Sequence, residues 1–257
     1  MTAIKILSKK KCKNAVLFSG LPGIGLVGKI AIDHLVSQLK AEKVAEVWSD
    51  SFPPSVRSQN SIVELIKDEI FYAKVNKRNC FFLAGPVQPA LDFQSPFGAE
   101  HYEFAASIVS FCKQAGISEL YCLAGIDVRN KRLEKEPSIV IAATSKKFLD
   151  SFKGQKNVVF NSEEGLISGA AGMILGIGKE NGLQGACLMG ETNAQLFYGD
   201  HGAAKKLLEL LVQRFKFKVS LDAVEKEAKK VQQAFENLNK QLKSQQELDN
   251  EKPSYVR

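Results

Sequence analysis

Four glycines and a lysine, in the stretch AVLFSGLPGIGLVGKIAIDHLV at 15–36, are the residues whose spacing could do chemistry. Gly23, Gly25 and Gly28 spell G-x-G-x-x-G, and with Lys29 the same segment spells G-x-x-x-x-G-K; both are phosphate-binding patterns. In the first, glycine lets backbone N–H groups approach a pyrophosphate at the positive end of a helix. Asp50 follows at about the separation that suits a ribose contact. In the second, Lys29 would reach the terminal phosphates, but Ile30 stands where Ser or Thr holds magnesium. Asp127 is the strand-end acid that could serve a metal. Pro22 removes a backbone donor just before the motif. An architectural reading stands beside these: Gly20 and Gly23 permit a sharp strand-to-helix turn, and Gly25 and Gly28 let the helix press on a sheet. The stretch therefore supports either a nucleotide-binding α/β enzyme using the 23–29 loop or a packing device.

Little else points to catalysis. Ser19 lies outside any G-x-S-x-G pattern. His101 beside Glu100 suits a helix start, where a carboxylate favours the dipole. Five cysteines and three histidines are scattered singly, so no four-ligand zinc set is expected, and no metal or cofactor. Cys80, Cys122 and Cys187 fall in apolar runs and read as buried small hydrophobes. Unpaired cysteines fit a reducing cytoplasm.

The chain has 257 residues, 45% hydrophobic and 25% charged, an ordinary globular balance. Its net charge of +7 is concentrated. Lys5, Lys9, Lys10, Lys11, Lys13 and Lys29 all precede the first acidic residue, Asp33, and the rest of the chain is close to neutral. Such a cluster reads as a solvated edge, and no nucleic-acid partner is expected. The lysines ahead of an apolar run imitate a signal peptide, but Pro22 and the glycines interrupt it. No apolar stretch reaches membrane-spanning length, so no membrane partner is expected.

Elements must hold these residues in place. Strands are expected at 15–19, 43–48, 80–84, 119–124, 138–143, 157–160 and 186–189. Helices are expected at 23–40, 98–115, 145–152, 168–179 and 201–215. Segments 61–66 and 70–75, separated by polar Lys67, Asp68 and Glu69, read as an inserted β-hairpin. Alternation of this kind predicts an α/β fold, a three-layer α/β/α sandwich around a largely parallel sheet, over residues 1–218.

The last forty residues differ. Val224, Ala228, Val231, Phe235, Leu238 and Leu242 recur by four and three, a heptad seam over 219–250 that suits a coiled coil. A polar helix with so narrow a seam needs a partner or its own domain. Pro253 ends it, and a flexible tail over 251–257 carries Tyr255, Val256 and Arg257.

Taken together, FSGLPGIGLVGKIAIDHL, AGPVQP, GLISGAAGMILG, CLMGET and HGAAKKLLELL resemble the proteasome assembly chaperone 2 family, in its archaeal type, over most of 15–216. The resemblance implies a nucleoside-phosphorylase-like fold without catalytic residues and a cytosolic, non-enzymatic protein. It implies self-association or pairing with a paralogous chaperone subunit, and binding to proteasome α-subunits to assist core-particle assembly. Archaeal members often end in hydrophobic–Tyr–any residue, a tail that inserts between α-subunits. Here Ser254 precedes Tyr255 and the register is one residue off. By that likeness Tyr255 would be the aromatic anchor, Val256 an apolar contact, and the Arg257 carboxylate the charged group.

Overall fold

The computed structural model describes residues 1–89, 99–160, 164–196, 198–231 and 233. In chain order the elements are β1 (Thr2–Ile6), β2 (Ala15–Ser19), a 3-10 turn (Ile24–Leu26), α1 (Val27–Gln38), β3 (Glu42–Ser49), β4 (Val56–Gln59) and β5 (Ile62–Leu65). Next come β6 (Asp68–Val75), β7 (Arg78–Ala84), α2 (Ala99–Ala115), β8 (Ile117–Asp127), α3 (Lys131–Glu134), β9 (Ile139–Ala143) and α4 (Lys146–Asp150). β10 (Val158–Val159), α5 (Gly169–Glu180), β11 (Gln184–Thr192) and α6 (His201–Phe215) follow.

Nine strands form one sheet in the order β1-β3-β6-β7-β2-β8-β11-β9-β10. Its centre, β7-β2-β8-β11, is parallel. One flank is an antiparallel run of β1, β3, β6 and β7, and on the other β9 runs antiparallel to β11. The central strands carry apolar runs at 15–18, 80–84, 120–124 and 186–189 because both faces are covered there. Along β2, Ala15 and Leu17 face the layer containing α2 and α5. Val16 and Phe18 face the layer of α1, α4 and α6. Two-residue alternation thus divides one strand between two cores, giving the α/β/α sandwich.

Helix α6 shows how sequence places an element. The Asp200 side chain caps its start by accepting the Ala203 N–H. Leu207, Leu208 and Leu211 then recur at helical spacing and are fully buried. Phe215 at its end and Phe217 beyond it stack against each other and meet Phe18 edge-on.

The hairpin is built differently from the expected pairing of 61–66 with 70–75. β5 folds back on β4 as a separate two-stranded sheet, and β6 pairs with β3 and β7. The cause is turn chemistry. Asn60 and Ser61, and likewise Asn76 and Lys77, all have positive φ and form two-residue loops between Gln59 and Ile62 and between Val75 and Arg78. Such loops match the twist of antiparallel strands, and asparagine tolerates that backbone. Asp68, expected in the polar turn, is instead the first residue of β6 and is fully buried. Strands β1 and β4 and helix α3 were not anticipated from the sequence.

Candidate functional site

The glycine turn lies where parallel strands β2, β8 and β11 end together, the usual ligand position in an α/β sheet. A cavity of about 310 Å³ opens there, bordered by Ser19, Gly23, Gly28, Gln88, residues 123–127 and residues 166–171. Among the described residues no lysine, arginine or histidine lines it. Asp127 Oδ1 accepts the Arg129 and Ala194 N–H groups at 2.9 and 3.2 Å, and Gln88 Oε1 accepts the Ala170 N–H at 3.1 Å. These polar groups hold loops, and the lining carries no counter-charge for a phosphate.

The glycines answer to packing. A Cβ on Gly28 would collide with the Leu123 carbonyl, and one on Gly20 with the Gly28 carbonyl and the Ile32 side chain. Gly25 has φ +61 and sits against the Thr192 side chain. Gly23 alone of the four has open space around it. Lys29 does not join the cavity: its Nζ is 2.6 Å from Asp33 Oδ2, and it lines a separate groove with Arg57, Glu64 and Pro86. Asp50 lines a third hollow, beside Trp48 and Phe52. Gly23 and Gly28 thus border the cavity while Lys29 and Asp50 lie away from it, and close packing contacts surround Gly20, Gly25 and Gly28.

Ser19 is buried at the cavity floor, and His101 is buried outside it with no partner for Nε2 among the described residues. Among those residues no three His, Cys, Asp or Glu side chains gather as a metal site. Burial pushes the Cys80 and Cys187 thiols up to about 12 and raises those of Cys112 and Cys122 as well. Four of the five thiols are thus protonated at neutral pH and poor nucleophiles.

The β4–β5 hairpin offers a surface. Its register, Val56 opposite Leu65 and Ser58 opposite Val63, gathers Val56, Val63 and Leu65 on one face. Arg57, Gln59, Glu64 and the exposed Ile62 take the other. Val63 is 68% exposed and Leu65 71%. A hollow of about 410 Å³ joins this face to Trp48, Phe52, Pro53 and Pro54. An isolated two-stranded ribbon is marginal in water, and a contiguous apolar patch of this kind marks an interaction site. A strand over 61–66 was readable in the sequence; that no helix among the described residues covers it was not.

Residues 222–231 are helical. Val224 is buried in the same layer as α1 and α6, while Ala228 and Val231 are half-buried. Glu225 pairs with Lys205 at 3.4 Å, and His34 Nε2 lies 2.7 Å from the Ser220 carbonyl oxygen. The seam thus begins on the chain's own core. Phe235, Leu238, Leu242, Tyr255, Val256 and Arg257 lie outside the described residues. Among the described residues no helix is long and apolar enough to cross a membrane.

A family model described as the PAC2 family matches residues 17–239. An uncharacterized protein of Methanocaldococcus jannaschii, MJ1210, is 34% identical over 246 residues, 93% of this chain and 91% of its own length. The crystal structure of Pyrococcus furiosus PbaB, an archaeal proteasome activator, is similar with a TM-score of 0.83 and 30% identity, over 93% of this chain and 98% of that one. That of Pyrococcus furiosus PbaA, an archaeal homolog of proteasome-assembly chaperone, has a TM-score of 0.72 and 21% identity over 96% of each chain. The PbaA likeness bears on the fold alone.

Proposed function

The chain belongs to the PAC2 family, and on that footing we propose that it is a cytoplasmic, non-enzymatic proteasome assembly chaperone that self-associates and binds proteasome α-subunits. The single observation that carries the reading is the exposed apolar face of Val56, Val63 and Leu65 continuing to Trp48. An assembly factor must present apolar surface to partners, and among the described residues nothing covers this patch. A cavity whose described lining carries an aspartate and no cation, together with the packed glycines, argues against a competing nucleotide site. In this proposal the seam beyond Val224 extends towards another copy or a paralogous subunit, and Tyr255, Val256 and Arg257 dock on the α-subunits.

The test is capture of purified α-subunits by the full chain and by a version lacking residues 250–257, with light scattering on both. Capture lost on truncation supports tail docking. Capture by both keeps the chaperone and removes the tail from its mechanism. Failure of both overturns the proposal.

The likeness to PbaB favours a second reading, action as an activator of the assembled particle. The two separate by what increases: core particles formed from free subunits, or peptide hydrolysis by particles already formed.

A further inference from the structure

The N-terminal lysines find no role in the reading above. After β1 the chain is held by Val44, whose carbonyl accepts the Leu7 and Ser8 N–H groups, and again by the Cys12 N–H on the Ala115 carbonyl. Between those anchors residues 9–11 cross the end of α2, and their amides donate to no described residue. Beneath them is a pocket of about 400 Å³, floored by Phe81, Phe111 and Ile6 and rimmed by Lys9, Lys10, Lys11 and Gln114. Among the described residues no acidic side chain lines it.

The three lysines of the rim are not equivalent. Lys10 pairs with Glu42 at 2.9 Å and lies over the Tyr72 ring. Lys9 and Lys11 are exposed and form no ion pair with any described residue, and neither do Lys5 and Lys13 on either side. Apolar depth and unpaired positive charge therefore occur within one side chain's reach.

We propose that this pocket docks an acidic peptide segment bearing one large apolar side chain. That side chain seats on Phe81, Phe111 and Ile6, and flanking carboxylates pair with Lys9 and Lys11. The unbonded amides of 9–11 suit the carbonyls of an extended segment. A nucleic-acid backbone would satisfy the lysines but leave the apolar pocket empty. It would also need more cations than this short edge supplies, since the rest of the chain is close to neutral.

Fluorescence anisotropy of the full chain tests the proposal, with a short labelled peptide of Asp and Glu around a central Phe as probe. Binding is expected to weaken as salt rises, and by about tenfold or more for Lys9→Glu/Lys11→Glu. It should weaken comparably when the peptide's Phe becomes Ser, and for the surface change Ile6→Ser. Unchanged melting temperatures would show that these variants fold. Absence of binding overturns the proposal, as does equal binding of the Phe and Ser peptides. Equal displacement by an oligonucleotide or by phosphatidylserine vesicles at matched charge overturns it too.

Discussion

Arg132 and Asp200 form a two-pronged buried pair, Nε to Oδ2 at 2.7 Å and Nη2 to Oδ1 at 2.9 Å, with side-chain exposures of 3% and 0%. The same carboxylate accepts the Thr192 hydroxyl at 3.0 Å and the Ala203 N–H at 3.0 Å. The Asp200 N–H donates to the Gly25 carbonyl at 2.7 Å. One aspartate therefore joins α3, the end of β11, the start of α6 and the glycine turn. Removing it takes the carboxylate from a buried guanidinium, so Asp200→Ala should lower unfolding free energy by about 3–5 kcal/mol. Urea unfolding measures this, and a loss below about 1 kcal/mol would show that the junction is held by packing instead.

The turn glycines should separate sharply. Gly28→Ala forces a methyl against the Leu123 carbonyl and should cost about 1–3 kcal/mol. Gly23→Ala has open space and an extended φ of −161, so it should stay within about 0.5 kcal/mol. Denaturant unfolding of both variants without ligand checks the contrast; equal costs would contradict the packing explanation.

Asp68 gives the chain a pH signature. Burial raises its carboxyl well above 3.8, against smaller opposing pulls from the Val87 N–H and Lys29, while Glu69 adds to the rise. The Val87 N–H is near, but neither oxygen has a hydrogen bond of good geometry among the described residues. The folded state keeps this proton after the unfolded chain has released it, so stability falls as pH rises from 3.8 towards the folded value. The slope is about 1.4 kcal/mol per pH unit within that window. Relative to Asp68→Asn, the wild-type melting temperature should fall as pH rises above about 4. Parallel profiles would mean that the carboxyl is ionised in the fold.

The hairpin face should be dispensable for folding and needed for association. Val63→Lys/Leu65→Lys alters two exposed positions and should change stability by about 0.5 kcal/mol or less. Light scattering should show a smaller assembly than wild type. An assembly of unchanged size would exclude this face from self-association.

Thiol accessibility offers a further check. Cys12 is half-buried and the other four are buried. Iodoacetamide should modify Cys12 first in the native protein, and all five only after denaturation, as mass spectrometry would read. Early modification of Cys122 would indicate an opening of the central strands.

Much of the fold was legible because its signals are local. Apolar runs at 15–19 and 80–84 report strands covered on both faces, and four-and-three spacing reports α2, α5 and α6 whatever they pack against. The architectural reading of the glycine turn was available too, since Pro22 and Ile30 already weakened both phosphate spellings.

What pairs with what was decided elsewhere. Ile62–Leu65 has the same alternation whichever neighbour it takes, and the positive φ at Asn60 and Ser61 turned it onto β4. Asp68 is polar by type but was drawn into β6 by ladders to β3 and β7, which left its carboxyl without water. Arg132 and Asp200 carry no mutual signal across 68 residues. Sequence pattern determined which residues avoid water, because that preference belongs to each side chain and its near neighbours. Partners across the sheet, the open groove under the lysines and the uncovered hairpin face were settled only by the tertiary structure. Those depend on which distant segments close together, and no local period encodes that choice.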